Sequence, residues 1–255
     1  MKNLFWVASC FMLISVGIIG MYIPAIPQNP AYHHFADENT WLGIPNFWNV
    51  VSNFPFLVVG SIGLYECSKI SGTALEKTMY WVLFLGILLT GLGSAYYHWQ
   101  PTNWRLVFDR LPMTLVFMSL FSLVLADIFN PRDIALLFPF LLLLGFFSVG
   151  YWYYTETIGQ GDLRLYGIVQ FLPMLLLPLL SIIYRNRITY LPLILQIIAL
   201  YGLAKVLEKM DFIIFQWTFL SGHSLKHVFA GLATFLLYKL IQVRKTHTVQ
   251  ITRTK

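Results

Sequence analysis

The sequence predicts an all-α integral membrane protein, with a seven-helix bundle preceded by one additional N-terminal transmembrane helix. Three observations support this fold class. Hydrophobic residues make up 58% of the 255 residues and charged residues only 11%, whereas soluble domains carry roughly 25% charged residues. Continuous apolar runs of about 20 residues, long enough to cross a hydrocarbon core, recur along the chain. These runs lack the short alternating pattern of membrane strands, so each one is predicted to be a helix.

The apolar runs define eight spans, at about residues 4–25, 47–66, 78–98, 105–127, 134–153, 165–184, 189–207 and 219–241. The first run is longer than the 7–15 residues of a signal-peptide core, which favours a retained helix over a cleaved signal peptide. The predicted organisation is therefore an extra helix in residues 1–30, a seven-helix domain in residues 31–241 and a basic tail in residues 242–255.

The distribution of Lys and Arg predicts that both termini are cytoplasmic. With the N-terminus inside, eleven of the 17 basic residues flank the cytoplasmic ends of the spans and six flank the outer ends, in agreement with the positive-inside rule. The loop from Ile26 to Pro45 contains no Lys or Arg and is placed outside. Because the basic residues are scattered at segment ends, nucleic acid is excluded as a partner. The oligomeric state is left open.

Polar residues cluster at the outer ends of three spans, where burial in the membrane makes each a functional candidate. Ser94 and His98 close the third span, Asp109 lies about one turn inside the fourth, and His223 and His227 open the eighth. Residues four apart share one face of a helix. Three imidazoles with a fourth position open are typical of catalytic zinc. The alternatives are interfacial histidines, a pairing of Asp109 with Arg105 or Arg110, and a Ser94 bond to a carbonyl one turn back.

These residues, with the block Asn46-Phe47-Trp48-Asn49-Val50-Val51-Ser52-Asn53, resemble the alkaline ceramidases over about residues 37–241. That family is part of a superfamily of seven-helix membrane hydrolases that includes the adiponectin- and progestin-type receptors. The resemblance implies zinc held by His98, His223 and His227, with Ser94 and Asp109 beside it. It also implies an enzyme that hydrolyses linear amide C–N bonds and splits a ceramide-like lipid amide into a long-chain base and a fatty acid.

The chemistry of this reaction suits the residue types. Zinc lowers the pKa of bound water to about 7, and an amide carbonyl needs its developing oxyanion stabilised. We expect Asp109 to act as the general base and later as the proton donor to the leaving amine. Ser94 is expected to donate a hydrogen bond to the carbonyl oxygen. The active site then lies near the periplasmic or lumenal face, in contact with membrane lipids.

The resemblance also implies a calcium site in the loop before the second span. Asp37, Glu38, Asn39 and Asn46 offer the hard oxygen ligands that Ca²⁺ prefers. Asn46 stands where the animal enzymes have an acidic residue, so one ligand charge is lost. The alternative is a solvated turn, with Asn46 as the N-cap of the second span.

Other polar residues have less specific interpretations. Asn49, Ser52 and Asn53 are expected to bridge neighbouring helices. Lys205, Glu208, Lys209 and Asp211 are expected to form interfacial salt bridges, with contact to a substrate head group as the less favoured interpretation.

Three functional alternatives remain beside the hydrolase. In a receptor of the adiponectin or progestin kind, the metal site would persist without a major hydrolytic role. A transporter or haem protein would use the same histidines as relays or axial ligands. A serine intramembrane protease built on Ser94 and His98 is disfavoured because the sequence lacks a Gly-x-Ser-Gly setting.

Overall fold

The computed structural model describes residues 22–70, 72–218 and 220–253 together with Gly17 and Gly20, with side chains described as far as Arg244. This part of the chain folds into nine α-helices and one 3₁₀ turn. Within it there is no strand beyond an isolated bridge between Trp41 and Ile44. The predicted all-α class is therefore confirmed.

The helices follow one another with short connections. They are α1 (Phe47–Val51), α2 (Phe54–Cys67), α3 (Ala74–Trp99), α4 (Asn103–Ile128), α5 (Pro131–Thr157), α6 (Arg164–Ile183), α7 (Leu191–Lys209), α8 (Asp211–Thr218) and α9 (Gly222–Arg253). The 3₁₀ turn, Pro30–His33, lies in the first loop, which is defined here as residues 23–46.

Within the described residues, seven helical segments are long and apolar enough to cross a membrane, with α1 and α2 counted together. Their bounds lie within a few residues of the seven spans predicted after residue 46. The predicted first span, residues 4–25, falls almost entirely outside the described residues. The additional N-terminal span and the domain limits therefore stay predictions.

The predicted span 47–66 is divided into two helices at Ser52 and Asn53. Pro55 lies in the first turn of α2. A proline inside a continuous helix would remove a backbone donor and clash with the carbonyl four residues earlier, so the helix restarts at this point. The Asn53 side chain donates to the carbonyl of Asn49 at 2.8 Å and compensates for part of the interruption.

The bundle is centred on α3 and α4, which pack along each other, while α9 packs against α7 and α2. The core between them includes the fully buried side chains of Leu83, Ile87 and Leu123. The short connection of residues 100–102 makes α3 and α4 antiparallel, so the end of α3 lies beside the start of α4. Candidate residues distant in sequence are thereby brought to one end of the bundle.

Candidate metal centre

Three buried histidines from two helices converge at this end of the bundle. His98 lies in the last turn of α3, and His223 and His227 lie in the first turns of α9. Each offers one ring nitrogen, and the three nitrogens lie within 4.8 Å of one another. The Nε2 atoms of His98 and His223 are 3.2 Å apart. Nitrogens bound to one tetrahedral zinc ion at 2.0–2.1 Å are about 3.4 Å apart, so the cluster has the size that a shared metal ion requires.

The hydrogen bonds of His227 orient one nitrogen toward the cluster. Its Nδ1 atom lies 2.8 Å from the Ser52 hydroxyl, which itself donates to the carbonyl of Asn49 at 3.3 Å. Because the serine proton is used there, the serine oxygen accepts from Nδ1–H and leaves Nε2 without a proton. That Nε2 atom is buried and has no hydrogen-bond partner. An orphaned imidazole nitrogen facing two others fits a divalent metal ion, because a metal ligand presents a free lone pair.

Ser94 and Asp109 lie beside the histidines on α3 and α4. Both are buried, and they are close enough for the hydroxyl to donate to the carboxylate. A Cβ atom added at Gly93 would lie 1.9 Å from the carbonyl oxygen of Phe108. Only glycine permits this approach of the two backbones, which places Ser94 against Asp109.

The arginines do not pair with Asp109 within the described residues. The Arg105 guanidinium lies over the Tyr96 ring and donates to the Tyr96 carbonyl at 3.4 Å. Arg110 is buried and donates to the Gln28 side chain at 2.6 Å. Asp109 is therefore left facing the histidine side of α4, and the alternative of an Asp109–Arg pair is wrong.

The start of α9 is fixed by one carboxylate. Asp211 accepts from the His223 backbone N–H at 3.0 Å and from the Ser221 hydroxyl at 2.7 Å, and its second oxygen accepts from the Ala36 N–H at 2.9 Å. These bonds satisfy donors that a helix N-terminus leaves without partners. The predicted salt-bridge role of Asp211 is wrong for the described residues, because its contacts are with backbone amides and a hydroxyl.

Residues of the Asn46–Asn53 block form hydrogen bonds around the candidate metal centre. Asn49 is fully buried, accepts from the Ser224 hydroxyl at 2.8 Å and donates to the carbonyl of Asp37 at 3.2 Å. Asn46 donates to the carbonyl of His98 at 2.8 Å. The predicted bridging of helices by Asn49 and Ser52 is confirmed, since both residues connect α1 or its end to α9.

The first loop covers the centre. The Phe35 ring is buried and packs at 4.7 Å, centroid to centroid, against both His98 and His223. Tyr32 donates to Glu208 at 3.2 Å, and burial raises the pKa of Tyr32 well above its usual value. The loop thus contributes a ring that limits the access of water to the histidines.

The candidate calcium ligands form only part of a cluster. One Asp37 oxygen accepts from the Asn39 side chain at 2.6 Å, and the other is buried without a partner. Glu38 is exposed, 3.8 Å from the exposed His34 ring. Asn46 occupies the N-cap position of α1 with φ 47°, but its side chain makes no capping bond. Asn46 is therefore the N-cap residue of α1, as the alternative predicts, but it does not cap the helix through its side chain. Calcium binding stays a prediction.

Two lysines share one carboxylate beside the histidines. Glu208 accepts from Lys205 at 2.8 Å and from Lys226 at 2.7 Å. Lys226 Nζ is also 3.2 Å from His223 Nε2. The predicted salt bridge of Lys205 and Glu208 is confirmed. The role of Lys226 is not evident in the sequence, where it is a single basic residue between His223 and His227.

A cavity of about 100 Å³ opens from this site into the bundle. Its polar end contains Ser94, Asp109, Lys205, Lys226 and His227. The remainder is almost wholly apolar, with lining residues that include Phe117, Leu120, Met174, Ile197 and Leu237. Leu120 is eleven residues beyond Asp109 on α4, so the cavity extends about 16 Å from the site along the helix. This shape suits a long apolar chain with a polar group at one end.

The comparison with protein families identifies the chain's relatives. A family model described as Ceramidase matches residues 42–254, which is most of the chain and includes Ser94, Asp109 and the three histidines. No curated protein matches the chain.

Proposed function

The chain belongs to the ceramidase family, and on that premise we propose that it is a zinc-dependent membrane hydrolase of a ceramide-like lipid. The reaction splits the amide bond of the lipid into a long-chain base and a fatty acid. Family membership supports a lipid amide hydrolase in general, and the ion and the substrate are the proposed refinements.

The observation that carries the proposal is the convergence of the three histidines at the polar end of an apolar cavity. Their nitrogens lie within 4.8 Å of one another, and His227 lines the cavity beside Ser94 and Asp109. A metal centre, an acid–base group and a chain-binding space are thereby adjacent. This is the combination that hydrolysis of a lipid amide requires.

The chain's own residues divide the work of the reaction. His98, His223 and His227 would hold a zinc ion, which when bound would supply Lewis-acid activation of water and of the amide carbonyl. Asp109 accepts the proton of the attacking water and returns it to the amine nitrogen as the C–N bond breaks. Ser94 donates to the carbonyl oxygen as negative charge develops, which requires its hydroxyl to turn from Asp109 toward the substrate.

The receptor alternative gains no support from the site. A receptor that retains only a structural metal site needs neither a buried carboxylate beside it nor a cavity lined by that carboxylate, and both are present here. The transporter and haem alternatives are likewise not favoured, because three imidazoles gathered on one point suit a single small ion.

The proposed placement in the membrane has both termini in the cytoplasm and the active site near the periplasmic or lumenal face. It rests on the excess of Lys and Arg at the opposite helix ends. The lipid substrate then enters from the outer leaflet.

The test compares two variants for which the proposal predicts different zinc contents. His223→Ala removes a metal ligand, so the purified variant should lose both bound zinc and hydrolysis of a fluorescent ceramide. Asp109→Asn keeps the ligands, so it should retain zinc and lose at least about 100-fold in kcat, as expected for removal of a general base. Full zinc content and full hydrolysis in His223→Ala would refute the proposal.

A further inference from the structure

The cavity that opens from the metal centre ends at three apolar side chains, one on each of three helices. The deepest lining residues on α3, α4 and α9 are Ile87, Leu120 and Leu237, defined here as the cavity floor. The helical rise of about 1.5 Å per residue places all three at a depth of about 16 Å. Each lies ten or eleven residues along its helix from a site residue, and these site residues are His98, Asp109 and His227.

The bundle is solid beneath the cavity floor. One turn deeper on the same helices, Leu83, Val124 and Ile241 are at most 1% exposed and belong to the continuous apolar core. These three side chains do not line the cavity. Interiors packed in this way resist the insertion of further groups. The floor is therefore a fixed end to the space available for a ligand.

Below its polar end, the wall of the cavity has few polar groups, and their hydrogen bonds are made within the protein. The hydroxyls of Thr90 and Thr234 donate to carbonyls of their own helices at 2.8 Å and 2.7 Å. The hydroxyl of Tyr201 accepts from the Gln170 side chain at 2.6 Å. The wall therefore suits a ligand segment that is apolar along its whole length.

The acyl chain of a lipid amide has this property. It is apolar from the first carbon after the carbonyl, whereas a long-chain base carries hydroxyl groups close to the amide nitrogen. Met113 follows Asp109 by one helical turn, and Ala230 follows His227 by about one turn, so the cavity becomes apolar directly beyond the site. Hydroxyl groups placed there would lose water without gaining a partner. The acyl chain is thus the better occupant.

The cavity admits one chain. Without a ligand it is narrow, with a volume of about 100 Å³. Its wall contains the side chains of Met113 and Met174, and methionine is flexible enough to turn aside for a ligand. The leucine and isoleucine side chains of the floor rest on the packed core and have no comparable freedom. The second chain of the lipid then stays in the membrane.

Steric fit, and not the hydrophobic effect, distinguishes chain lengths in such a cavity. Membrane lipid is as apolar as the cavity wall, so the transfer of a longer chain gains little. An extended chain advances about 1.2 Å for each bond, as an extended polypeptide does. A depth of about 16 Å therefore holds about 13 bonds.

We propose that the acyl chain of the lipid amide binds in the cavity with its methyl end against Ile87, Leu120 and Leu237, so that the floor limits the chain to about 14 carbon atoms. The inference rests on the proposed hydrolase function and specifies its substrate class. A longer chain must displace the floor or fold back toward the metal centre, and either change moves the scissile amide.

The first measurement is hydrolysis by the purified full-length protein in detergent micelles. The substrates are ceramides that share one long-chain base and carry acyl chains shorter and longer than about 14 carbons. We expect kcat/KM to fall about tenfold or more beyond this length, as expected when extra methylene groups are forced into a packed interior. In a second series the acyl chain is constant and the base chain varies, and kcat/KM should stay the same. A dependence on the base chain alone would overturn the inference.

Two substitutions should move the preferred acyl length in opposite directions. Leu237→Ala lowers the floor and should favour chains about two carbons longer. Ala233→Leu fills the cavity about 6 Å nearer the site and should favour chains about five carbons shorter. The matched control is Leu136→Ala in α5, where the side chain is 70% exposed and does not line the cavity. An unchanged preference in both cavity variants would overturn the inference while the hydrolase proposal stands.

The second measurement does not depend on turnover. In the Asp109→Asn variant, the increase in melting temperature caused by the same ceramides should be greatest near the predicted acyl length and smaller for longer chains. An increase that is independent of acyl length would contradict the limit set by the floor. If no lipid amide is hydrolysed, the proposed function fails, and the melting data still decide whether the cavity selects chain length.

Discussion

Ser52 determines which nitrogen of His227 faces the other two histidines of the candidate metal centre. Its hydroxyl oxygen accepts from Nδ1–H at 2.8 Å, and its own O–H donates to the Asn49 carbonyl at 3.3 Å. A hydrogen-bond partner on the ring nitrogen that does not bind the metal sets the tautomer of a ligating histidine and raises its basicity. A residue that touches neither metal nor substrate can therefore influence metal affinity.

Replacing Ser52 by alanine should weaken zinc binding by about 10–100-fold, the usual cost of losing such a partner. Ser52→Thr keeps the hydroxyl and should restore most of the affinity. Ser68→Ala, which changes an exposed serine after the far end of α2, is the control. Competition with a chelator of known affinity gives the measurement, and equal affinities in Ser52→Ala and the control would show that His227 needs no such partner.

His33 connects the first loop to the ends of α3 and α4. Its Nε2 atom lies 2.9 Å from Asn103 Oδ1, and its Nδ1 atom lies 3.0 Å from the hydroxyl of Tyr97, which donates to the Tyr32 carbonyl at 3.3 Å. Burial lowers the pKa of His33 below its usual 6.5. As pH falls from about 6.5 toward the lowered value, the unfolded chain binds a proton that the folded chain does not.

The stability of the protein should therefore decline over that pH range, and His33→Gln should reduce the decline by the contribution of one proton. Above pH 7 the two proteins should show the same dependence of stability on pH, because His33 is then neutral in both the folded and the unfolded chain. Melting temperatures measured from pH 7.5 to 5 test this. Parallel curves for the two proteins over the whole range would contradict the assignment.

At the scale of elements, the contact between α3 and α4 controls the distance between Ser94 and Asp109. Gly93 and Phe108 precede these two residues, and their backbones are so close that a Cβ atom at Gly93 would overlap the Phe108 carbonyl. The added methyl group must push the two helices apart. A displacement of about 1 Å at catalytic groups can cost about 100-fold in rate.

Gly93→Ala should accordingly lower kcat/KM by about 100-fold and reduce the melting temperature. Gly150→Ala is the matched control, because a Cβ atom at Gly150 in α5 meets nothing within 4 Å. That change should leave activity unchanged and stabilise the helix slightly, since alanine is the better helix former. Full activity in Gly93→Ala would mean that the helices adjust without moving the two side chains.

The break between α1 and α2 has a similar positional effect. Because the chain restarts at Phe54, Asn49 within α1 and Ser52 just after its end both contact α9. The interruption thus allows two polar contacts to be made to one neighbouring helix.

Across the whole molecule, the spans could be predicted because apolar length alone determines them. The meeting of His98, Asp109 and His227 could also be predicted, since the turn between α3 and α4 and the order of the spans bring these residues to one end. The left-handed backbone of Asn46, the role of Asp211 at α9 and the position of Lys226 could not. They depend on how helices rotate against each other, and a single sequence contains no direct measure of that rotation.

The orientation of the whole bundle is a prediction from charge alone. A green fluorescent protein fused after Lys255 should fluoresce, because both termini are predicted to be cytoplasmic. Alkaline phosphatase fused at the same position should be inactive. The opposite pair of results would place the histidines at the cytoplasmic face.

X-ray absorption at the zinc edge of the purified, active protein tests the shared metal centre most directly. One zinc ion per chain with three imidazole nitrogens at 2.0–2.1 Å and one oxygen ligand is the expected result, and His98→Ala should reduce the bound zinc. A spectrum dominated by sulfur ligands, or full hydrolytic activity in protein from which all metal has been removed, would contradict the metal centre formed by His98, His223 and His227.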